Sequence, residues 1–286
     1  MSLDDLNIFY GDTSEQASLI YAQLPGMDTA QYNLSGSIRG PFCEHGRTLP
    51  TNTKLTDLGP GDSLLASASI IDPCFWSPET PSLYQVHIEL RKDGRVLETA
   101  QRTIGIRNLG VRGKNLFLNG RRWVLRGTSR RSTADTLPSW REYAMAMLVD
   151  GVDDELGCRS SREGVFVVPR VDTSEPLNRY SRWASVGIVI VGTERLEHDL
   201  AKVIPNVLLA QLLPANDPFT VATWADLVVG EVDSPAQFGE RFAQGELPVI
   251  AMRRYDDNAD VADCRAACDR LQRDLAPFGD FAGYMV

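Results

Sequence analysis

The sequence predicts two units, an antiparallel β-sandwich followed by a closed (β/α)8 barrel. Three observations support this fold class. Short segments with alternating apolar and polar residues fill the first part of the chain. Fully apolar runs alternate with helical patterns after Gly113, and seven such runs with one further expected strand give eight strands. A length of 286 residues suits two such units. We place the sandwich at residues 1–112 and the barrel at residues 113–286.

The strands of the sandwich are predicted from their alternation. The clearest runs from Leu83 to Leu90, where apolar and polar side chains alternate throughout. Asp93-Gly94 is a typical two-residue hairpin turn, and residues 95–107 continue as the returning strand. Three more strands, bounded by Gly, Pro, Asp and Asn, are predicted upstream at residues 17–24, 30–40 and 62–71.

The barrel begins with a hairpin over residues 115–127, whose turn is Asn119-Gly120. Apolar runs that suit buried parallel strands follow at residues 123–128, 164–169, 186–192, 207–213, 226–232, 248–253 and 281–286. An eighth strand is expected near residues 149–158, and helical patterns occupy residues 137–148, 195–204 and 259–275. An open doubly wound sheet is the alternative, but no Gly-rich phosphate loop supports it.

Composition and charge argue against several functions. The net charge of −9 disfavours nucleic acid as the main partner, because phosphate binding needs a basic face. We interpret the three arginine pairs, Arg121-Arg122, Arg130-Arg131 and Arg253-Arg254, as solvated or salt-bridged surface. No apolar run is long enough to cross a bilayer, so we expect a soluble protein. The compartment stays open.

Neither a disulfide framework nor a metal site is expected. Five cysteines in a chain of this length are too few for a disulfide scaffold. Cys264 and Cys268 stand four residues apart on a predicted helix face, but the chain contains only three histidines to complete a site. We therefore expect no metal and no cofactor.

Residues 74–127 contain a series of motifs that closely resembles one junction in glycoside hydrolase family 2, which includes β-galactosidases, β-glucuronidases and β-mannosidases. There, an immunoglobulin-like sandwich leads into a catalytic barrel. The matching motifs are Trp76-Ser77-Pro78-Glu79-Thr80-Pro81-Ser82-Leu83-Tyr84, Gly105-Ile106-Arg107, Leu118-Asn119-Gly120 and Arg126-Gly127. The resemblance implies an immunoglobulin-like sandwich, a carbohydrate partner and a longer parent protein with flanking domains.

The resemblance also assigns site residues after the fourth barrel strand. The family's acid/base follows an apolar run that ends in Gly, and Ser185–Gly192 fits that run, so Glu194 falls on the acid/base position. Thr193 stands where the family has an Asn that binds the sugar 2-hydroxyl. After the first strand the family usually has Gly-x-Asn-x-His, and this chain has Ser129 and Arg131 at the last two named positions.

The nucleophile of the family follows the seventh strand, and there the chain carries Arg253. A guanidinium is always protonated and has no lone pair with which to attack an anomeric carbon. Retaining hydrolysis therefore requires a substitute carboxylate, for which Glu231 is the first candidate and Asp217 and Asp256 follow. The alternative is a non-catalytic barrel that binds carbohydrate or protein or supports a neighbouring domain, in which Glu194 and Arg253 form a charge pair.

Overall fold

The computed structural model describes residues 3–129, 136–171, 177–192, 205–215, 220–242, 245–254 and 259–286. The chain divides into two compact units. The first comprises Met1–Arg107 with Arg182–Ala184, and the second comprises Asn108–Ser181 with Ser185–Val286.

The first unit is a seven-stranded antiparallel sheet. Its strands are β1 (Asn7–Thr13), β2 (Ala17–Leu24), β3 (Tyr32–Phe42), β4 (Thr51–Asp57), β5 (Leu64–Ile71), β6 (Leu83–Lys92) and β7 (Arg95–Ile104), in the order β1-β2-β5-β4-β3-β6-β7. β4 pairs with β3 along most of its length and with β5 through Thr56 and Asp57. It therefore joins two half-sheets that enclose one core. The predicted β-sandwich is confirmed, although β1 and β4 were not predicted.

Alternation places the core of this unit as the sequence predicts. Val86 and Ile88 on β6 are fully buried, whereas Gln85 and His87, which alternate with them, are exposed. Apolar residues of β2, β3, β5 and β6 form one continuous buried cluster. The turn after β6 has positive φ angles at Asp93 and Gly94, 49° and 78°, as the right-handed twist of a tight hairpin requires.

The second unit opens with a small antiparallel sheet of β8 (Leu109–Arg112), β9 (Asn115–Leu118) and β10 (Arg121–Trp123). Leu118 pairs with Arg121, and the residues between them, Asn119 and Gly120, have φ angles of 51° and 80°. Asn and Gly tolerate this left-handed conformation better than other residues do. The predicted hairpin is confirmed.

Eight parallel strands then form a closed barrel. They are β11 (Leu125–Thr128), β12 (Ala146–Asp150), β13 (Val167–Val171), β14 (Ile188–Val191), β15 (Leu208–Leu213), β16 (Leu227–Glu231), β17 (Val249–Met252) and β18 (Gly283–Met285). Each strand pairs with the next, and β18 returns to β11 through the pairs Leu125–Gly283 and Arg126–Tyr284. This closure excludes the open-sheet alternative.

Four α-helices lie between the described barrel strands: α1 (Leu137–Glu142), α2 (Asp154–Glu163), α3 (Pro235–Phe242) and α4 (Val261–Leu275). The carboxylates of Asp153 and Asp260 cap α2 and α4 by accepting backbone N–H groups of Leu156 and Asp263. α4 confirms the helix predicted at residues 259–275. α3 was not predicted, and the helix predicted at residues 195–204 lies outside the described residues.

The boundary between α1 and β12 corrects two predictions. The helix predicted at residues 137–148 ends at Glu142, and Ala144 has a positive φ angle of 50° that breaks it. The last residues of that pattern belong to β12. The strand predicted near residues 149–158 therefore ends at Asp150, and a helix begins at Asp154 instead.

Candidate functional site at the carboxyl ends of the barrel strands

The carboxyl ends of the eight barrel strands meet at one mouth, where active sites of this fold lie. Counted around the barrel, β14 is the fourth strand and β17 is the seventh. All four residues of β14 are buried, and Gly192 follows them. Thr193 and Glu194 come next in the sequence but lie outside the described residues, as do Arg131, Asp217 and Asp256.

The start of the fourth strand is held by a buried hydroxyl cluster. The Oγ atom of Ser185 lies 2.9 Å from that of Ser160 and 3.1 Å from that of Ser161, both on α2. The backbone N–H of Ser185 also donates to Ser161 Oγ at 3.1 Å. These bonds satisfy polar groups in the core and fix the position at which the chain enters β14.

Arg253 directly follows the seventh strand. Its backbone N–H donates to the carbonyl of Met285 at 2.9 Å, and its Nη1 donates to Asp274 Oδ2 on α4 at 2.9 Å. α4 contacts the barrel wall, since Cys268 Sγ lies 3.3 Å from the carbonyl oxygen of Tyr284. The guanidinium of Arg253 is thus directed towards the helix layer, where it forms an ion pair with Asp274.

Glu231 ends the sixth strand. It is half-buried, and its Cα partner in the sheet is Met252, the residue before Arg253. The backbone N–H of Val232 donates to the Met252 carbonyl at 2.8 Å, so pairing with β17 continues past Glu231. The structure therefore brings Glu231 and Arg253 to neighbouring strand ends. Ser129, which follows the first strand, is exposed.

The mouth also holds an ion pair that the sequence did not predict. Arg170 and Asp150 are direct neighbours in the register of β13 and β12, and Arg170 Nη2 lies 2.7 Å from Asp150 Oδ1. The Arg170 side chain occupies the end of the third strand, yet only the parallel pairing of the two strands identifies its partner.

Gln211 on the fifth strand was also missed. Its side chain is buried, its Nε2 donates to the Thr220 carbonyl at 3.0 Å, and its Oε1 accepts from the Ala222 N–H at 2.7 Å. Both partners lie in the connection from β15 to β16. Gln211 therefore ties this connection to the fifth strand, and a buried Gln in an apolar run was the available sequence signal.

Within the described ranges, no three His, Cys, Asp or Glu side chains are grouped so as to hold a metal ion. Burial raises the pKa of the Cys268 thiol to about 12, which disfavours the thiolate form that ligates metals. Over the same part of the chain, none of the helices has the length and hydropathy needed to span a membrane.

Comparison with known proteins finds sequence similarity over part of the chain. Residues 22–107 match the model of "Glycosyl hydrolases family 2". A β-galactosidase of Oenococcus oeni is 32% identical over 125 residues, which are 42% of this chain and 12% of that protein. A β-galactosidase of Lactobacillus delbrueckii subsp. bulgaricus is 40% identical over 55 residues, 19% of this chain and 6% of that protein. The chain thus spans a small part of these relatives.

Solved structures share the fold over nearly the whole chain. The structure of Bacteroides uniformis β-glucuronidase 2 aligns with a TM-score of 0.64 at 15% sequence identity. The alignment covers 99% of this chain and 45% of the glucuronidase chain. A Bifidobacterium dentium β-glucuronidase aligns with a TM-score of 0.64 at 15% sequence identity. This alignment covers 98% of this chain and 59% of the glucuronidase chain. The chain is therefore similar in sequence to glycosyl hydrolase family 2 over residues 22–107, and similar in fold to solved β-glucuronidases beyond that segment.

Proposed function

We propose that this chain is a glycosyl hydrolase of the β-glycosidase class, in which hydrolysis proceeds without a carboxylate at position 253. The observation that carries the proposal is the position of Glu231. It is a half-buried carboxylate at the end of the sixth strand, beside the strand end that bears Arg253. The family 2 match over residues 22–107 supports carbohydrate as the substrate class.

In this proposal Glu194 is the general acid that protonates the glycosidic oxygen, and Glu231 is the second carboxylate. The fourth and sixth strands are separated by one strand, and strands two apart in a sheet lie roughly 9–10 Å from each other. That spacing is near the roughly 6.5–9.5 Å between the carboxyl groups of inverting glycosidases. We therefore propose that Glu231 activates a water molecule and that the anomeric configuration inverts.

The remaining predicted site residues are proposed to bind the sugar. Thr193 and Ser129 carry hydroxyl groups that both donate and accept hydrogen bonds, as sugar hydroxyls do. Arg131 is a permanent donor for sugar oxygens. None of the three would take part in proton transfer, so their loss should raise KM more than it lowers kcat.

A panel of aryl β-glycosides tests the proposal. We expect measurable turnover that falls at least 100-fold in kcat/KM in Glu194→Gln and in Glu231→Gln, because each substitution removes a proton-transfer group. Glu240→Gln changes an exposed carboxylate on α3 and should have no effect. Proton NMR of the first-formed sugar should show inversion. Turnover that persists in both variants would disprove the assignment.

The second candidate is a non-catalytic barrel that binds carbohydrate or a protein partner, such as a flanking domain of a longer parent protein. The ion pair between Arg253 and Asp274 favours it, because a guanidinium directed to α4 offers no group for catalysis at the seventh strand. Under this candidate, the glycoside panel shows no turnover while a monosaccharide titration or glycan array shows saturable binding. Absence of both leaves protein binding or support of a neighbouring domain.

A further inference from the structure

A cavity of about 380 Å³ lies beside the ends of the seventh and eighth strands, against α4. Its chemistry is set mainly by arginines. The residues that matter for the argument are Arg253, Arg254, Arg270, Arg273, Asp274 and Leu271. All of them belong to the second unit, and the cavity is separate from Glu231, which does not line it.

The described side chains that line this cavity are mostly cationic, whereas the chain as a whole is acidic. Among the described residues that line it, four side chains are guanidinium groups and one is a carboxylate, whereas the whole sequence has a net charge of −9. The carboxylate is Asp274, which already forms an ion pair with Arg253 at 2.9 Å. Residues 255–258, which include two aspartates, lie outside the described residues and are not part of this count.

Like charges on the arginines that line this cavity repel one another, and a bound anion relieves that repulsion. Each guanidinium presents a planar fork of donors that matches the oxygens of a phosphate or sulfate group. Arg254, Arg270 and Arg273 are exposed and therefore accessible to a ligand from solvent. Asp274 holds the fourth guanidinium, that of Arg253, in a defined orientation at the edge of the cavity.

The position in the barrel is consistent with an anion site. Arg253 and Arg254 follow the seventh strand, and Val286 follows the eighth. The connections after these two strands frequently bind phosphate groups in barrels of this architecture. The apolar side chains of Ala267 and Leu271 line the cavity from α4 and offer a surface for the uncharged part of a ligand.

We propose that this arginine cavity binds a small molecule that carries a phosphate or sulfate monoester. Its volume lies in the roughly 300–1,000 Å³ range of small-molecule pockets, and a sugar-sized ligand suits it. A phosphate or sulfate ester presents three terminal oxygens to the guanidinium groups, and a phosphate ester also carries close to two negative charges. A carboxylate offers only two oxygens and one negative charge, so it forms fewer charge-assisted hydrogen bonds with these groups. The proposal does not depend on glycoside hydrolysis, because it concerns binding at residues other than Glu194 and Glu231.

Calorimetric titration of the whole chain tests it, with ionic strength held constant by chloride. The probes are glucose 6-phosphate, glucose 6-sulfate, inorganic phosphate, glucuronate and glucose. We expect saturable one-to-one binding of the phosphate and sulfate probes, binding of glucuronate at least tenfold weaker, and none of glucose. The two esters distinguish phosphate from sulfate as the preferred group, and either preference supports the site.

Substitutions locate the binding. Arg254→Ala and Arg273→Ala should each weaken binding of glucose 6-phosphate about tenfold, and the double variant about 100-fold, because each removes a charge-assisted bond worth roughly 1.5 kcal/mol. Arg254→Lys keeps the charge but loses the fork, and should fall between wild type and Arg254→Ala. Arg162→Ala removes an exposed arginine of α2 and serves as the matched control.

Three outcomes would overturn the proposal. One is the absence of saturable binding by any oxyanion probe. Another is binding that Arg254→Ala and Arg273→Ala leave unchanged, or that Arg162→Ala weakens equally. The third is glucuronate binding as tightly as glucose 6-phosphate. Because no readout involves turnover, a failed glycosidase assay leaves this test intact, and a failed titration leaves the hydrolase proposal intact.

Discussion

The two units of this chain differ in strand length, in strand pairing and in how much of their sequence matches a known family. The first unit has strands of 7 to 11 residues that pair antiparallel, mostly with strands that are consecutive in the sequence. The second has barrel strands of 3 to 6 residues that pair in parallel and depend on long connections. The family 2 match covers residues 22–107, which lie in the first unit.

The two units differ in where substitutions can be accommodated. Buried motif residues of the first unit, such as Trp76 and Tyr84, are constrained by packing on all sides. The ends of the barrel strands carry side chains such as Arg170 and Arg253, which lie at least partly in solvent and contribute little to the core. A barrel can therefore persist while the residues that determine its chemistry change.

The largest effect is expected at the most buried motif residue of the sandwich. Trp76 has no exposed surface, and we expect Trp76→Ala to lower the free energy of unfolding by about 4 kcal/mol, because it leaves a large cavity. Urea denaturation followed by far-ultraviolet circular dichroism measures it. The control is Leu97→Ala on β7, where the side chain is 56% exposed and the change should stay within about 0.5 kcal/mol. Equal losses in both would contradict the packing argument.

The barrel has its own packing constraint, one residue before Glu231. A Cβ atom at Gly230 would lie 2.6 Å from Phe242 Cζ and 2.8 Å from Phe238 Cε2. We expect Gly230→Ala to lower the free energy of unfolding by about 2 kcal/mol through overpacking. Gly110→Ala, where a Cβ meets no atom within 4 Å, is the matched control. A neutral Gly230→Ala would mean that the barrel wall is looser than the sandwich core.

A pH-dependent effect is expected at Tyr84. Its hydroxyl accepts the Cys74 N–H at 2.8 Å, so Tyr84→Phe should lower the free energy of unfolding by about 1 kcal/mol at neutral pH. Burial raises the pKa of Tyr84 to about 12, opposed by this hydrogen bond. The folded protein therefore keeps the phenol proton where the unfolded chain, with a pKa of roughly 10, has released it.

The direction in which stability changes with pH follows from the number of protons bound by each state. Between pH values of roughly 10 and 12 the folded state binds more protons at this site, so wild-type stability falls as pH rises, and Tyr84→Phe lacks this contribution. The stability deficit of the variant should shrink over that window. Urea midpoints from pH 8 upwards measure it, and a deficit that grows with pH would contradict the assignment.

The smallest effect is expected at the barrel mouth. The side chains of Arg253 and Asp274 are 31% and 47% exposed, and such surface pairs contribute roughly 0–1 kcal/mol. Arg253→Ala should therefore lower the free energy of unfolding by less than about 1 kcal/mol. Arg170→Ala, which breaks the ion pair with Asp150, should lower the free energy of unfolding by a similarly small amount. A loss near that of Trp76→Ala would remove the contrast between the two regions.

Sequence patterns predicted most of the fold and little of the site. Strong alternation revealed β6, and apolar runs of four or more residues revealed β14 and β17. β4 was missed because only its Leu55 is fully buried, so it lacks an apolar face. The end of α1 was missed because a positive φ angle at Ala144 is not a preference of alanine. In the site, the sequence predicted Arg253 at the position of the family's nucleophile, but it did not predict that Asp274 is the ion-pair partner of Arg253.

Local sequence patterns are sufficient to predict the order of the units, the hairpin at Asn119-Gly120 and the apolar strands of a parallel barrel. These follow from side-chain periodicity and turn chemistry, which act over a few residues. The charged contacts emerge only from the folded chain: Arg170 with Asp150, Arg253 with Asp274, and four arginines that line one cavity. Ion pairs between positions distant in sequence depend on strand register and helix packing, which local patterns do not specify.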